Sequence, residues 1–191
     1  AIDCTGHGVP GALMSMIGYQ LLNKVLIDEK YVQPSRILKA LNRELKLFFD
    51  DSSEEINDGM DMALVKFNHL TGGLEYSGAN NPLVICRKNN DLEYIKPTKS
   101  GIGGNRIKPK YENHELQLEL GDTFYLYTDG YQDQFGGVKG KKMKARPLHQ
   151  LFVEINSLQF DERKQQMKQV FNNWKSTFSQ VDDVCVIGVG Y

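Results

Sequence analysis

Apolar residues recur at helical spacing early in the chain and alternate with polar ones through its middle. Leu13, Ile17, Leu21 and Val25, with Leu22 and Leu26 beside them, predict a helix over residues 10–26, and Pro10 suits its first turn. Pro34 or Ser35 opens a second helix with Ile37, Leu38, Leu41, Leu45 and Phe48 on one side. Residues 50–59 are polar and acidic and read as an exposed loop. The period then changes. Residues 61–68, 73–77, 83–87 and 92–97 read as consecutive strands separated by Gly- and Asn-rich turns. Leu116, Leu118 and Leu120 alternate as a half-buried strand, and residues 123–128 form another that stops at Asp129-Gly130. Helices follow over 147–156 and 161–175. The second has Asp161 as its N-cap and Met167, Val170, Phe171 and Trp174 as its buried stripe. Residues 184–189 read as an apolar strand central in a sheet. The order predicts an α+β fold with mainly antiparallel sheets. Without repeats or low-complexity linkers, residues 1–191 read as a single domain.

Charge and cysteine usage narrow the function classes. A formal net charge of −1 gives no basic footprint for nucleic acid, so any attraction for anions must be local. Cys4, Cys86 and Cys185 are far apart and form no Cys-x-x-Cys pattern. That argues against a secreted disulfide framework and favours a reducing, cytoplasmic setting. No apolar run approaches the roughly 20 residues a membrane helix needs. The opening Ala1-Ile2-Asp3 shows no signal peptide and reads as the end of a strand begun upstream.

Aspartates stand where apolar strands meet turns at Ile2-Asp3, at Thr128-Asp129-Gly130 and at Val181-Asp182-Asp183. Each taken singly reads as a turn or cap residue, the commoner role for Asp-Gly. Gathered at one rim they would repel, by on the order of 4 kcal/mol for a pair ~4 Å apart at an effective dielectric near 20. A hard divalent cation relieves that repulsion, and all-oxygen donors favour Mg²⁺ or Mn²⁺.

The segment Asp3-Cys4-Thr5-Gly6-His7-Gly8-Val9-Pro10-Gly11-Ala12 closely resembles the opening signature of bacterial PPM phosphatases of the sporulation stage II protein E type, relatives of the eukaryotic type 2C protein phosphatases. Later motifs match in order: Gly59-Met60-Asp61-Met62-Ala63-Leu64, Ser77-Gly78-Ala79-Asn80-Asn81-Pro82-Leu83, Thr128-Asp129-Gly130-Tyr131-Gln132-Asp133-Gln134 and Gln180-Val181-Asp182-Asp183-Val184. Together they span essentially the whole chain. The resemblance implies two packed antiparallel sheets flanked by helices, a four-layer αββα arrangement, with two Mn²⁺ or Mg²⁺ ions. It implies that Asp3 bridges the ions, that the backbone carbonyl of Cys4 ligates one, and that Asp129 and Asp182 complete the second. A metal-bound water would then attack phosphorus of a phosphoserine or phosphothreonine directly.

Other residues weigh less. Asp133 matches a third-metal ligand of related enzymes, but Asn80 stands where they carry Gly-Asp. Asp183 reads as a structural partner of Asp182. His7 is a candidate proton donor to the leaving oxygen, set against a loop histidine bonded to backbone. Asp61 reads as a tie from its strand to a neighbouring loop. The basic run over residues 139–146 reads as a solvated, mobile flap, residues 101–104 as a turn without the P-loop pattern, and Met14 and Met16 as core. In the family the first two helices form a regulatory element, which makes this pair the expected switch and dimer contact.

Family members carry an upstream strand with a Gly-Asp-Phe/Tyr motif that nothing before Ala1 supplies. The expectation is therefore a domain lacking its N-terminal strands, with weak metal binding and weak or absent activity of its own. Exposed strand edges predict association, as a homodimer or by strand exchange. The enzymatic reading is the output domain of a signalling protein with an upstream, membrane-anchored or soluble sensor, acting on an anti-anti-sigma-like phosphoprotein. Its rivals are a catalytically silent dimerisation module that binds a phosphoprotein, and a non-enzymatic sandwich in which the aspartates are caps.

Overall fold

In the computed structural model, which describes residues 1–6, 8–49, 58–103 and 109–191, the chain divides into two compact units. The first comprises Ala1–Leu83 and Ile95–Leu118, the second Val84–Tyr94 and Glu119–Tyr191.

The first unit opens with β1 (Ile2–Cys4) and helix α1 (Gly8–Asn23), which runs into a π-helical stretch, Lys24–Asp28, before helix α2 (Pro34–Phe49). Strands β2 (Gly59–Asn68) and β3 (Gly73–Ala79) follow. Strands β4 (Leu83–Cys86) and β5 (Leu92–Ile95) lead into the second unit and back out of it. The first unit ends with β6 (Ile102–Gly103) and β7 (His114–Gln117). Its sheet runs β1-β2-β3-β7 with β6 also on β2, and these strand pairs are antiparallel. Helix α2 buries Ile37, Leu38, Leu41 and Leu45, a spacing of three and four that covers one face. These residues form the core with Met60, Met62, Ala79 and Ile102 of the sheet. Helix α1 is different. Its buried residues are Gly11, Met14 and Gly18, while Leu13, Met16 and Tyr19 are exposed.

In the second unit the sheet order is β11-β8-β4-β5, with β8 at Thr123–Tyr127 and β11 at Val186–Gly190. Between these two strands lie α3 (Gly130–Asp133), a hairpin of β9 (Phe135–Gly136) and β10 (Lys141–Lys142), α4 (Ala145–Glu154) and α5 (Phe160–Lys175). Tyr125 and Tyr127 of β8 pack with Phe152 of α4 and Phe171 of α5 in a separate core. The Tyr125 and Phe152 rings stack at 4.0 Å. Asp122, 2% exposed, receives the Arg87 guanidinium at 2.8 Å and the backbone N–H groups of Lys88 and Glu119. Burial pushes its carboxyl up, but these bonds outweigh burial and hold it below the ordinary range.

The antiparallel, mixed α and β architecture is as expected, with local corrections. β11 lies at the end of its sheet rather than in the middle, and its pairing among the described residues is with β8. Its glycines Gly188 and Gly190 sit against the rings of Tyr125 and Phe160, so the apolar run reads as buried while half of it is open. Leu120 is 72% exposed because β7 stops at Gln117 and the chain turns at Gly121. The cap of α5 is Gln159, in a reciprocal capping box with Glu162, and Asp161 lies inside the first turn. Met16 faces solvent, and Ile102–Gly103 is a strand on β2 rather than a turn. Gly59, assigned to a loop, is a buried strand residue; residues 50–57 of that loop lie outside the described residues.

Candidate active site

Asp3 sits on β1, directly opposite Asp61 in the ladder with β2. Directly opposed residues share a face of the sheet, so the two aspartates are cross-strand neighbours, a pairing that is unfavourable when both are charged. Burial pushes the Asp61 carboxyl up, and the Asn80 amide, donating to Oδ1 at 2.8 Å, partly offsets it. Asn80 is held for this task in a left-handed conformation, φ 60°, with its own N–H on the Thr98 carbonyl at 2.9 Å. Asp61 thus ties its strand to the loop after β3, the role read from the sequence.

The chain leaves β1 through Thr5. Its hydroxyl donates to the Gly59 carbonyl at 2.7 Å and accepts the Gly59 N–H at 2.6 Å. Gly6, φ 84°, begins the turn into α1. Gly11 must be glycine, since a Cβ there would lie 2.5 Å from the Gly6 carbonyl oxygen. Burial raises the Cys4 thiol; a hydrogen bond with Ser15 opposes this and the neighbouring Asp3 charge adds to it. The thiol therefore stays neutral at neutral pH. His7 lies outside the described residues.

The second unit repeats the device. After β8, the Thr128 hydroxyl donates to the Asp183 carbonyl at 3.3 Å and accepts the Cys185 N–H at 3.1 Å. The Thr128 N–H reaches the Cys185 carbonyl at 3.0 Å. Asp129 stands at the N-cap of α3, yet its carboxylate makes no capping hydrogen bond. This speaks against its reading as a cap. A Cβ on Gly130 would overlap the Asp183 carbonyl oxygen and come within 3.4 Å of the Asp182 Cβ, so glycine lets the Asp182–Asp183 segment pack against the backbone that follows Asp129. Asp182 Oδ1 accepts the Asp183 N–H at 2.8 Å, which makes Asp183 a partner of Asp182 through its backbone. Asp133, one turn after Asp129, pairs with Lys142 Nζ at 2.5 Å. The Asp133 hydrogen bond first, then the charges of Asp133, Asp129 and Asp182, raise the Lys142 ammonium above its ordinary range.

Asp3 and Cys4 therefore belong to the first unit, and Asp129, Asp133, Asp182 and Asp183 to the second, where Asp129, Asp133 and Asp182 all act on Lys142. Among the described residues no group of three or more His, Cys, Asp or Glu is gathered so as to hold a metal ion. The carboxylate oxygens present are the donor type for a hard cation such as Mg²⁺ or Mn²⁺. Sequence reading missed Lys142, hidden in a basic run, and both threonine clips, which look like ordinary strand residues. The run is in part an ordered hairpin, with Lys141–Lys142 paired to Phe135–Gly136.

Solved structures share this architecture. The SiaA-PP2C domain of Pseudomonas aeruginosa is 25% identical with a TM-score of 0.88, over 100% of this chain and 74% of that one. The PP2C phosphatase domain of SpoIIE from Bacillus subtilis, with a fragment of its regulatory domain, is 20% identical with a TM-score of 0.69, over 99% and 51%. RsbX in complex with magnesium is 17% identical with a TM-score of 0.66, over 98% and 77%. The chain thus spans about half of the SpoIIE chain it matches. No curated protein matches it. The sequence profile of the stage II sporulation protein E family matches residues 1–191. The chain belongs to the stage II sporulation protein E (SpoIIE) family, and its fold is that of PP2C-type phosphatase domains.

Proposed function

We propose that the chain is a metal-dependent phosphoprotein phosphatase domain, the output domain of a signalling protein, which removes phosphate from serine or threonine of a regulatory protein. The observation that carries this reading is the approach of Asp182 to Gly130, the residue after Asp129, with both carboxylates acting on the same Lys142 ammonium. In the second unit Asp129 and Asp182 are the carboxylates that would hold Mn²⁺ or Mg²⁺, and in the first unit the candidates are Asp3 and the Cys4 carbonyl. When bound, such a cation supplies a water acidic enough to be a nucleophile at neutral pH and positive charge against the phosphoryl oxygens. The chain's own share is positional. The Thr5 and Thr128 clips fix where the aspartates emerge from their strands, so no reorganisation is needed as charge develops. His7, between Asp3 and α1 in sequence, is the candidate to protonate the leaving oxygen, and Asp183 supports Asp182.

A second reading, a silent module that binds a phosphoprotein, is favoured by the lack of a three-donor cluster among the described residues. One experiment separates them: phosphopeptide hydrolysis by the natural protein carrying this chain, with and without Mn²⁺, alongside Asp129→Asn and direct Mn²⁺ titration. The expected result is Mn²⁺-dependent turnover that falls about 1000-fold in the variant, on the order of 4 kcal/mol of barrier, with weaker Mn²⁺ binding. Equal turnover in both proteins would defeat the mechanism, and a wild type that binds phosphopeptide without hydrolysing it would favour the silent module.

A further inference from the structure

The second unit contains a cation of its own beside the carboxylates. The β9–β10 hairpin is fastened around Lys142, by strand pairing at Lys141 and Lys142 and by bonds to α3 and its C-cap just after it. Gly136 and Phe135 pair with Lys141 and Lys142, the Met143 N–H bonds to the Gln134 carbonyl at 3.1 Å, and the Lys144 N–H bonds to the Gln132 carbonyl at 2.6 Å. Met143 is buried and anchors the returning strand. Gly137 N–H bonds to the Trp174 carbonyl, which ties the hairpin to α5. The Lys142 backbone is therefore held in place, and its side chain runs past Phe135, with Nζ 5.9 Å from the ring centroid, to Asp133.

Asp133 lies one helical turn from Asp129, its N–H on the Asp129 carbonyl at 2.9 Å, so both side chains emerge on one face of the turn. The ammonium that Asp133 holds is thus within electrostatic reach of Asp129 and Asp182. It uses one of its three N–H donors on Asp133, and its side chain is still 47% exposed. A tethered, half-exposed ammonium beside metal-type carboxylates has the chemistry to receive a phosphoryl oxygen. The neighbouring Lys139, Lys141, Lys144 and Arg146 add positive charge on the same exposed segment.

Building on the proposed phosphatase reading, we infer that Lys142 is a phosphate-contacting residue of this site, and that Asp133 is the positioning residue that aims its ammonium. Asp133 matches a third-metal ligand of related enzymes, a role the sequence disfavours with Asn80 where they carry Gly-Asp; the lysine fills that place with a resident positive charge. Asp133 is thereby spent on an amino group rather than on an accessory ion.

The test uses the Mn²⁺-loaded protein with Lys142→Met, Lys142→Arg and Asp133→Asn, and reads KM and kcat for a phosphopeptide, inhibition by inorganic phosphate, and Mn²⁺ affinity by titration. Fluorescence of Trp174, the one tryptophan of the chain, reports whether the hairpin stays packed. The expected result is a rise of about tenfold in both KM and the phosphate inhibition constant for Lys142→Met, with a smaller change in kcat and with Mn²⁺ affinity held within about twofold. Lys142→Arg recovers most of the loss, since the charge remains, and Asp133→Asn shows a partial loss because the ammonium is no longer aimed. Unchanged KM and phosphate inhibition, with tighter Mn²⁺ binding in Lys142→Met, would overturn the inference and make Lys142 a counter-ion only. Absence of any wild-type turnover would instead overturn the phosphatase reading, and this inference with it.

Discussion

The strand end that carries Asp3 and the one that carries Asp129 use the same parts and differ in charge. Each aspartate lies close to a threonine whose hydroxyl both donates to and accepts from the backbone of a neighbouring segment, Gly59 for Thr5 and Asp183 with Cys185 for Thr128. Each has a glycine that allows backbone to approach, Gly11 against Gly6 and Gly130 against Asp183. Charge separates them. Asp3 faces another carboxyl, Asp61, across the ladder, while the Asp129 cluster contains Lys142. Backbone placement is thus solved by sterics and hydrogen bonds in both halves, and in the second half a lysine is set among the carboxylates.

The largest effect should come from filling the glycines. Gly130→Ala forces a methyl group onto the Asp183 carbonyl, and that segment cannot retreat without breaking the Thr128 clip. A loss of about 3 kcal/mol is expected, the upper end for overpacking, with Trp174 fluorescence as the reporter. Its indole N–H donates to the Gln134 carbonyl next to α3 at 2.9 Å. Gly11→Ala should cost less, about 2 kcal/mol, because the opposing Gly6 is a turn glycine, φ 84°, whose backbone has more allowed conformations to adjust into. Urea unfolding of both variants ranks them. A silent Gly130→Ala would mean that the approach of Asp182 is not fixed by this residue.

Next in size are the clips themselves. The Thr5 bonds, at 2.6 and 2.7 Å, are shorter than those of Thr128, at 3.1 and 3.3 Å. Thr5→Val should cost about 1.5 kcal/mol and Thr128→Val about 1 kcal/mol, each within the range for losing a partly buried hydrogen bond. Hydrogen exchange reads each directly, at the Gly59 amide for the first variant and at the Cys185 amide for the second. Faster exchange at Cys185 than at Gly59 in the paired variants would reverse the ranking and show that the longer bonds matter more.

What the sequence made legible follows from which signals are local. Asp129 and Asp182 could be picked out because an apolar run that ends at Asp-Gly or begins just after Asp-Asp marks a strand boundary without reference to anything distant. Strands β2 to β5 were visible for the same reason, through alternation between turn clusters. Lys142 was not, because its role depends on a register between two short strands, Lys142 opposite Phe135, that no periodicity announces. The edge position of β11 was hidden by its apolar composition, which resembles that of a central strand although its glycines serve the rings of Tyr125 and Phe160. The opposition of Asp3 to Asp61 depends on the register of two strands nearly sixty residues apart in the chain.

That opposition gives the smallest effect but the clearest sign. Burial raises the Asp61 carboxyl above the ordinary aspartate value, about 3.9 in an unfolded chain. The folded state then holds the proton more tightly than the unfolded state, so between about pH 3.9 and the raised value stability falls as pH rises, and above it the cost is fully present. Asp61→Asn removes that ionisation, and its Oδ1 can still accept from the Asn80 amide. It also removes one of the two opposed charges. The variant should therefore be more stable than wild type at pH 7, by less than the glycine and threonine variants lose, and the difference should shrink as pH falls towards 3.9 and vanish below it. Urea midpoints at pH 3.5, 5 and 7 measure this. A difference that is flat across the three would mean that the gain comes from packing, and that Asp3 and Asp61 do not sense each other across the ladder.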